Sequence, residues 1–438
     1  GTTSSRAIVF NHDSATVGEA QREFTQHFPK PGWVEHAPQE ILDSLLCAAE
    51  QAMCAAGVTW AQIRSIGLAN QGETCLMWDR ATGEPLCPAI VWQDRRTSAA
   101  ADALAQRCRA EIQQRTGLIV DGYFSATKLQ WILENVPEAR EKLARGQLLA
   151  GTLDSWLIWK LTGGAQHVTD CATASRTMLF NIHEKRWDAV LLRLMGIPAE
   201  LLPQVRECAG DFGATLPAYT GGVSVPISGL IVDQQAALYA QNCFTPGSAK
   251  VTYGTGCFML MNIGRTPVLS RSGLLTSVAW QLGGETVYAL DAGIYVAGAA
   301  IQWLKNQLGL IASAAETEAM ALRTPDNGGV YFVPAFSGLA APHWDQYARG
   351  TILGITGATT RDQIVRATLE SIAYQVSDNL CAMRADSGIP IERIRVDGGM
   401  VCNRFLMQFQ ADILGIPVEV PAVYDTTAVG AARLAALG

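Results

Sequence analysis

Short runs of aliphatic and β-branched residues alternate along this chain with longer amphipathic segments, a pattern that obliges it to lay sheets against helices. Ala7 to Phe10 reads as a strand, and Ile41 to Ala56 as a helix rich in Leu and Ala that ends near Gly57. Ile63 to Leu68 and Ala89 to Trp92 read as further strands separated by the turn DRATGEPL. Two later helices follow from spacing. Val365, Leu369, Ile372, Val376 and Leu380 recur every three to four residues, and Phe405, Leu406, Phe409 and Ile413 do the same after Asn403. At 438 residues the chain is too long for one hydrophobic core and fits two α/β domains. The boundary falls near residue 243, ahead of the Pro246-Gly247 turn, giving 1–242 and 243–438.

Composition excludes several classes of function. Charged residues make up 17% and no stretch approaches the roughly 18 uninterrupted apolar residues of a membrane helix. The net charge of -7 and the lack of a dense Lys/Arg run argue against a nucleic-acid partner. The 11 cysteines are scattered, with no CxxC pair and no Cys/His cluster at metal-ligand spacing, which reads as a reduced, cytoplasmic protein. None of the six histidines has a partner at useful spacing; His36, in WVEH, reads as part of a structural turn. Trp156 to Trp159 reads as core, and Arg95-Arg96 as a local ion-pairing site.

Candidate chemistry lies in small-residue turns and isolated carboxylates. Gly1-Thr2-Thr3-Ser4 and Gly254-Thr255-Gly256-Cys257 each precede a strand-like run, about half a chain apart. Glycine lets a backbone approach closely while amides and hydroxyls point at an anion, so both turns suit phosphate, although no Walker A string occurs. Asp233 follows the apolar run Leu230 to Val232 and precedes a small-residue helix. It is either an N-cap or a base at a strand's end, and the local residues leave both open. Asp397-Gly398-Gly399 is likewise either a tight turn or a platform for a nucleotide, with Asn403 capping the next helix.

Taken together the strings GTTSSRAIVF, PKPGWVEH, IVWQDRRT, GTLDSWLIWKLTGG, DQQAAL, TYGTGCFMLMN, NGGVYFVPAFSGL and RVDGGMVCNRFLMQFQADILG resemble the FGGY family of sugar and polyol kinases, in its glycerol kinase branch. They span nearly the whole chain in order. The resemblance implies two ribonuclease H-like, actin-like α/β domains, each with a mixed central sheet flanked by helices, with a polyol bound by the first and ATP with magnesium by the second. It implies transfer of the γ-phosphoryl group to a primary hydroxyl. Thr2, Thr3 and Ser4 match the first phosphate hairpin, Arg6 reaches toward the phosphates, and Thr255 lies in the second hairpin. Gly298 and Gln302 match the nucleotide pocket, and Gly399 and Asn403 the ribose and adenine side. Asp233 matches the catalytic base and a magnesium contact, with Gln234 beside it. Glu73 and Tyr123 match contacts to the polyol hydroxyls and Trp92 walls the pocket. Relatives are often dimers or tetramers, so a homo-oligomer is implied.

The pattern also breaks. Glycerol kinases read Asn-Gln-Arg-Glu where this chain reads NQGE, so Gly72 replaces an arginine that donates to the acceptor; losing such a donor costs about 1.5 to 3 kcal/mol and opens space. Tyr295 stands where they carry Phe. Both changes point to a four- or five-carbon polyol or ketose as an alternative acceptor, and the first also to a catalytically weak binding paralogue. The family's aspartate ahead of Gly1, and its terminal helices beyond Gly438, are expected in a longer parent chain. Val223 and Ser224 offer no cation in the loop where some relatives bind a sugar bisphosphate, so that inhibition is expected to be absent.

Overall fold

The structure is a computed structural model that describes residues 1–336, 338–345, 347–421 and 425–438; Ser337 of the NGGVYFVPAFSGL string lies outside the described residues. The chain groups into two units: residues 1–240 with 277–287 and 427–438, and residues 241–276 with 288–426.

The first unit opens on an antiparallel hairpin of β1 (Ser4–Phe10) and β2 (Thr16–Glu23). The strand begins three residues before the expected Ala7 because Ser4, Ser5 and Arg6 continue the ladder opposite Glu23, Arg22 and Gln21. Helix α1 (Pro38–Ala56) packs on this hairpin; a side chain at Gly18 would run into the Ala52 carbonyl, so glycine permits the close approach. The helix stops at Gly57, which takes the left-handed φ of 67°. Strand β3 (Ile66–Asn70) starts later than expected, after a 3-10 turn at Trp60–Gln62, and is followed by β4 (Cys75–Asp79). The Trp-rich segment forms helix α2 (Leu153–Leu161), with Trp156 wholly buried among Leu42, Leu76, Trp78 and Phe212.

One pairing positions the chemistry. Strand β5 (Ile227–Val232) runs parallel to β3, Leu230 opposite Leu68 and Val232 opposite Asn70. Parallel neighbours end at the same edge, so the loop after Asn70 and the helix α3 (Asp233–Ala240) that follows Val232 emerge side by side.

The second unit repeats the device. Strand β6 (Ala249–Tyr253) turns at 254–256 into β7 (Cys257–Gly264), and β8 (Leu275–Leu282) and β9 (Glu285–Ile294), whose residues 277–287 group with the first unit, follow before helix α4 (Gly298–Asn306). Helix α5 (Arg361–Ser387) is opened by a capping box in which Thr360 and Gln363 serve each other's backbone amides. Strand β10 (Ile394–Asp397), helix α6 (Arg404–Leu414) and β11 (Val418–Glu419) complete a six-stranded mixed sheet of order β8-β9-β7-β6-β10-β11. Strands β6 and β10 are parallel, Thr252 opposite Asp397, which places the 254–256 turn beside Gly398 and Gly399. No helix among the described residues is long and apolar enough to cross a membrane.

Candidate active site

Within the first unit the edge of β3 and β5 gathers most of the acceptor-side residues. Gly72 lies against β5: a Cβ there would stand 2.6 Å from Val232 Cγ2 and 3.4 Å from Arg176 Cγ. The space expected beside Gly72 is therefore filled, by Val232 and by the stem of Arg176, and the reading that the arginine's loss opens the site is corrected on this point. Glu73 is buried, its carboxylate accepting from Arg176 Nε at 2.7 Å and its carbonyl from Ser125 Oγ at 3.1 Å. Tyr123 stands edge-on to Trp92, ring centroids 5.8 Å apart. Its carbonyl accepts from Lys128, a fully buried amine whose pKa burial pushes down to about 8. Trp92 Nε1 donates to Thr2 Oγ1 at 3.0 Å, which ties the first Gly-Thr turn to the same wall.

Asp233 opens α3, one oxygen accepting from the Gln234 amide at 2.7 Å. Thr3 contributes its carbonyl to Phe24 N, and Ser4 Oγ accepts from Gln21 at 2.7 Å. Arg6 forms an exposed pair with Glu19 at 3.4 Å. Behind the wall runs a hydrogen-bonded file: Gln26 to His36 at 2.7 Å, His36 to Gln71 at 3.3 Å, Gln71 to Thr74 at 2.9 Å, and Thr74 to the Trp92 amide at 3.2 Å. His36 is buried and held neutral, its pKa pushed down to about 4 chiefly by that burial. It therefore supports the wall as a structural residue.

In the second unit the 254–256 turn is built from close backbone contacts. Gly254 N donates to Gly256 O at 2.9 Å. Gly298 N donates to Gly254 O at 3.0 Å, and Ala297 N and Ala299 N to Thr255 O at 2.9 and 3.0 Å. A Cβ on Gly298 would lie 2.6 Å from the Gly254 oxygen and 3.4 Å from Met400 Sδ, so Thr255, Gly298 and the Gly399 turn form one cluster. Gln302, one turn along α4 from Gly298, is exposed. Asn403 caps α6 through Leu406 N at 2.9 Å and donates to Thr317 at 3.0 Å, so both ends of its amide are engaged. Tyr295 belongs to this second unit, partly buried against Val296, Ala300 and Phe332.

The family profile for the N-terminal domain of FGGY carbohydrate kinases matches residues 1–240, and that for the C-terminal domain matches residues 249–438. The chain belongs to the FGGY family of carbohydrate kinases. Among relatives of this FGGY kinase, the glycerol kinase of Carboxydothermus hydrogenoformans is 56% identical over 438 residues, covering 100% of this chain and 88% of that protein. Glycerol kinase 2 of Thermotoga maritima is 55% identical with the same coverage, 100% and 88%. Among solved structures, the glycerol kinase of Plasmodium falciparum with ADP superposes with a TM-score of 0.94 at 36% identity, covering 100% of this chain and 87% of that one. A xylulose kinase from Rhodospirillum rubrum gives a TM-score of 0.87 at 26% identity, with coverage of 100% and 88%. The two-unit α/β architecture is thus that of the FGGY kinases.

Sequence reasoning about this kinase missed two features. Arg176 sits 103 residues from Glu73 in the chain, and nothing local in TASRTM marks it as its partner. The second is a buried group of Asp170, Cys171 and Cys208, whose ligand atoms lie within 4.8 Å of one another, although the cysteines are far apart in sequence. Asp170 caps the short helix Cys171–Ala174 through the Ala172 and Thr173 amides and also accepts from the Cys208 thiol at 3.3 Å. Burial pushes the Asp170 carboxyl up to about 7 and the Cys208 thiol well above its usual value, so the thiol keeps its proton and the cluster is read as a hydrogen-bonded cap.

Proposed function

We propose that this FGGY kinase transfers the γ-phosphoryl group of ATP to a primary hydroxyl of a small polyol, with glycerol as the acceptor that best fits. The observation carrying the reading is the Asp233 carboxylate at the end of β5, beside the Gly72–Glu73 loop. Support for glycerol comes from full-length relatives bearing the name glycerol kinase at 53 to 56% identity. The filled space at Gly72 adds to it, because it gives a longer acceptor no extra room there.

In this mechanism Asp233 accepts the proton of the primary hydroxyl as its oxygen attacks the γ-phosphorus in line. The new O–P bond forms as the bond to the β,γ-bridging oxygen breaks, and ADP carries away that electron pair. Glu73 and Tyr123 bind the acceptor's hydroxyls, Trp92 walls its carbon chain, and Gln234 flanks the base. Thr2, Thr3 and Ser4 face the transferring phosphate with Arg6 beyond them. Thr255, Gly298, Gln302, Gly399 and Asn403 form the nucleotide side. The only group of three or more His, Cys, Asp or Glu ligands among the described residues is the buried Asp170 cluster, and its thiols do not suit magnesium. Magnesium fits instead as an ion held by the nucleotide phosphates with Asp233 as an oxygen ligand, where it would neutralise phosphate charge.

The test is coupled ADP release with glycerol, erythritol, ribitol, xylitol, xylulose and ribulose as acceptors. Glycerol is expected to give the highest kcat/KM, and Asp233→Asn to lower kcat by about 10² to 10⁴. Undiminished turnover in Asp233→Asn would remove the base from the mechanism, and a preference for a five-carbon acceptor would restore the alternative drawn from Gly72 and Tyr295.

A further inference from the structure

Arg176 reaches the acceptor wall from a part of the chain that the proposed mechanism does not use. Its Nε donates to Glu73 Oε1 at 2.7 Å, and the two side chains are only 4% and 6% exposed. The guanidinium carbon lies 5.8 Å from the Tyr123 ring centroid and 5.6 Å from that of Phe124, and Tyr123 in turn meets Trp92. The stem of Arg176 closes the space beside Gly72. Its backbone is fixed on both sides: Arg176 N donates to Thr173 O and Ala126 N to Thr177 O, each at 2.9 Å, and Asp170 caps the short helix that leads into it. The cation is therefore delivered by a rigid element.

A carboxylate only accepts hydrogen bonds and a guanidinium only donates them, whereas a hydroxyl does both. A buried Glu–Arg pair thus presents an acceptor next to a donor, which is the complement of two hydroxyls on neighbouring carbons. Five N–H groups on one guanidinium allow it to hold Glu73 and a ligand hydroxyl together. We propose that Arg176 is a specificity-determining residue: with Glu73 it reads a vicinal diol, so the acceptors of this kinase are compounds with a second hydroxyl adjacent to the one phosphorylated. The proposal rests on the polyol-kinase reading above.

The test compares glycerol with propane-1,3-diol, which keeps both primary hydroxyls and lacks the central one. A site built to bond a hydroxyl rejects the analogue without it, so the unsubstituted chain is expected to favour glycerol by at least about 100-fold in kcat/KM. Arg176→Gln is expected to shrink that ratio at least about tenfold while the KM for ATP stays within about twofold, with Arg176→Lys between, since a lysine cannot reproduce the planar fork. A purely structural role would lower both acceptors by one common factor and leave the ratio unchanged, which would overturn the proposal. If Arg176→Gln yields no folded protein, the ratio measured for Arg176→Lys decides by the same criterion. Acceptor-dependent ADP release missing from the unsubstituted chain would overturn the kinase reading and this proposal with it, whereas turnover with an unaltered ratio in the variants overturns this proposal alone.

Discussion

Gly72→Ala is the most informative single substitution in the acceptor wall. The backbone of Gly72 lies outside the left-handed region, so an alanine there is not strained by φ, and the whole effect comes from one methyl group. That methyl would stand 2.6 Å from Val232 Cγ2, against about 3.5 to 4.0 Å for an unstrained carbon contact, so roughly 1 Å of movement has to be found. Val232 is 3% exposed and immediately precedes Asp233, so it cannot swing out into solvent. Overpacking of this kind costs about 1 to 3 kcal/mol. In a unit of this size each kcal/mol lowers the melting midpoint by roughly 2 to 4 °C. Displacement of the neighbouring carboxylate by a comparable distance would cost about 100-fold in kcat. Differential scanning fluorimetry and ADP release measure the two effects separately. Val232→Ala in the same chain removes the clashing methyl, so the double variant should be more stable than the sum of the two single changes by at least about 0.5 kcal/mol. A Gly72→Ala protein with the parent's melting midpoint and turnover would refute the reasoning, because it would show that the space beside Gly72 yields freely.

Asn403→Ala removes the cap of α6 and the tie to Thr317 and should cost about 1 kcal/mol, read as a lower denaturant midpoint at constant m-value. Gly298→Ala presses a methyl toward the Gly254 oxygen at 2.6 Å, so the KM for ATP is expected to rise about tenfold while that for glycerol holds; equal rises would count against a nucleotide role for the turn. His36 and His167 each titrate near 4 in the folded chain because burial keeps them neutral, against about 6.5 unfolded. The unfolded chain therefore takes up protons first, and this contribution to stability is whole above about pH 6.5 and drains away as pH falls toward 4. Asp170, pushed up to about 7, works in the opposite sense and offsets part of the loss over the same range. His36→Gln should flatten the fall in unfolding free energy between pH 6.5 and 4 by up to about 3 kcal/mol, and an unaltered slope would show that His36 is not the titrating group.

Features with a local cause were legible in the sequence. The apolar period of α5 lies within one continuous run of residues, as do Asn403 and the helix it caps. Arg95 and Arg96 pair with Asp121, Asp94 and Glu35, an arrangement that their charge alone suggested. The burial of Trp156 followed from its apolar surroundings. What stayed hidden depends on contacts made across the fold. Gly72 reads as an opening because the residue that fills it, Val232, arrives through the register of β5 on β3. Arg176 is silent for the same reason, as is the meeting of Cys171 with Cys208, whose sulfurs come within 3.9 Å only once residues 168–170 and 204–206 pair in parallel. The start of β1 was misplaced because Ser4 to Arg6 have no strand preference of their own and are ordered by β2.

The turn at 254–256 has all three of its carbonyl oxygens committed, two to the amides that begin α4 and one to its own first residue, while the Thr255 side chain is exposed. Its carbonyls therefore cap the start of α4, taking up the amides of Ala297, Gly298 and Ala299. The turn and the helix are thereby one piece. Any movement of residues 254–256 must carry the first turn of α4 with it, because three backbone bonds join the two.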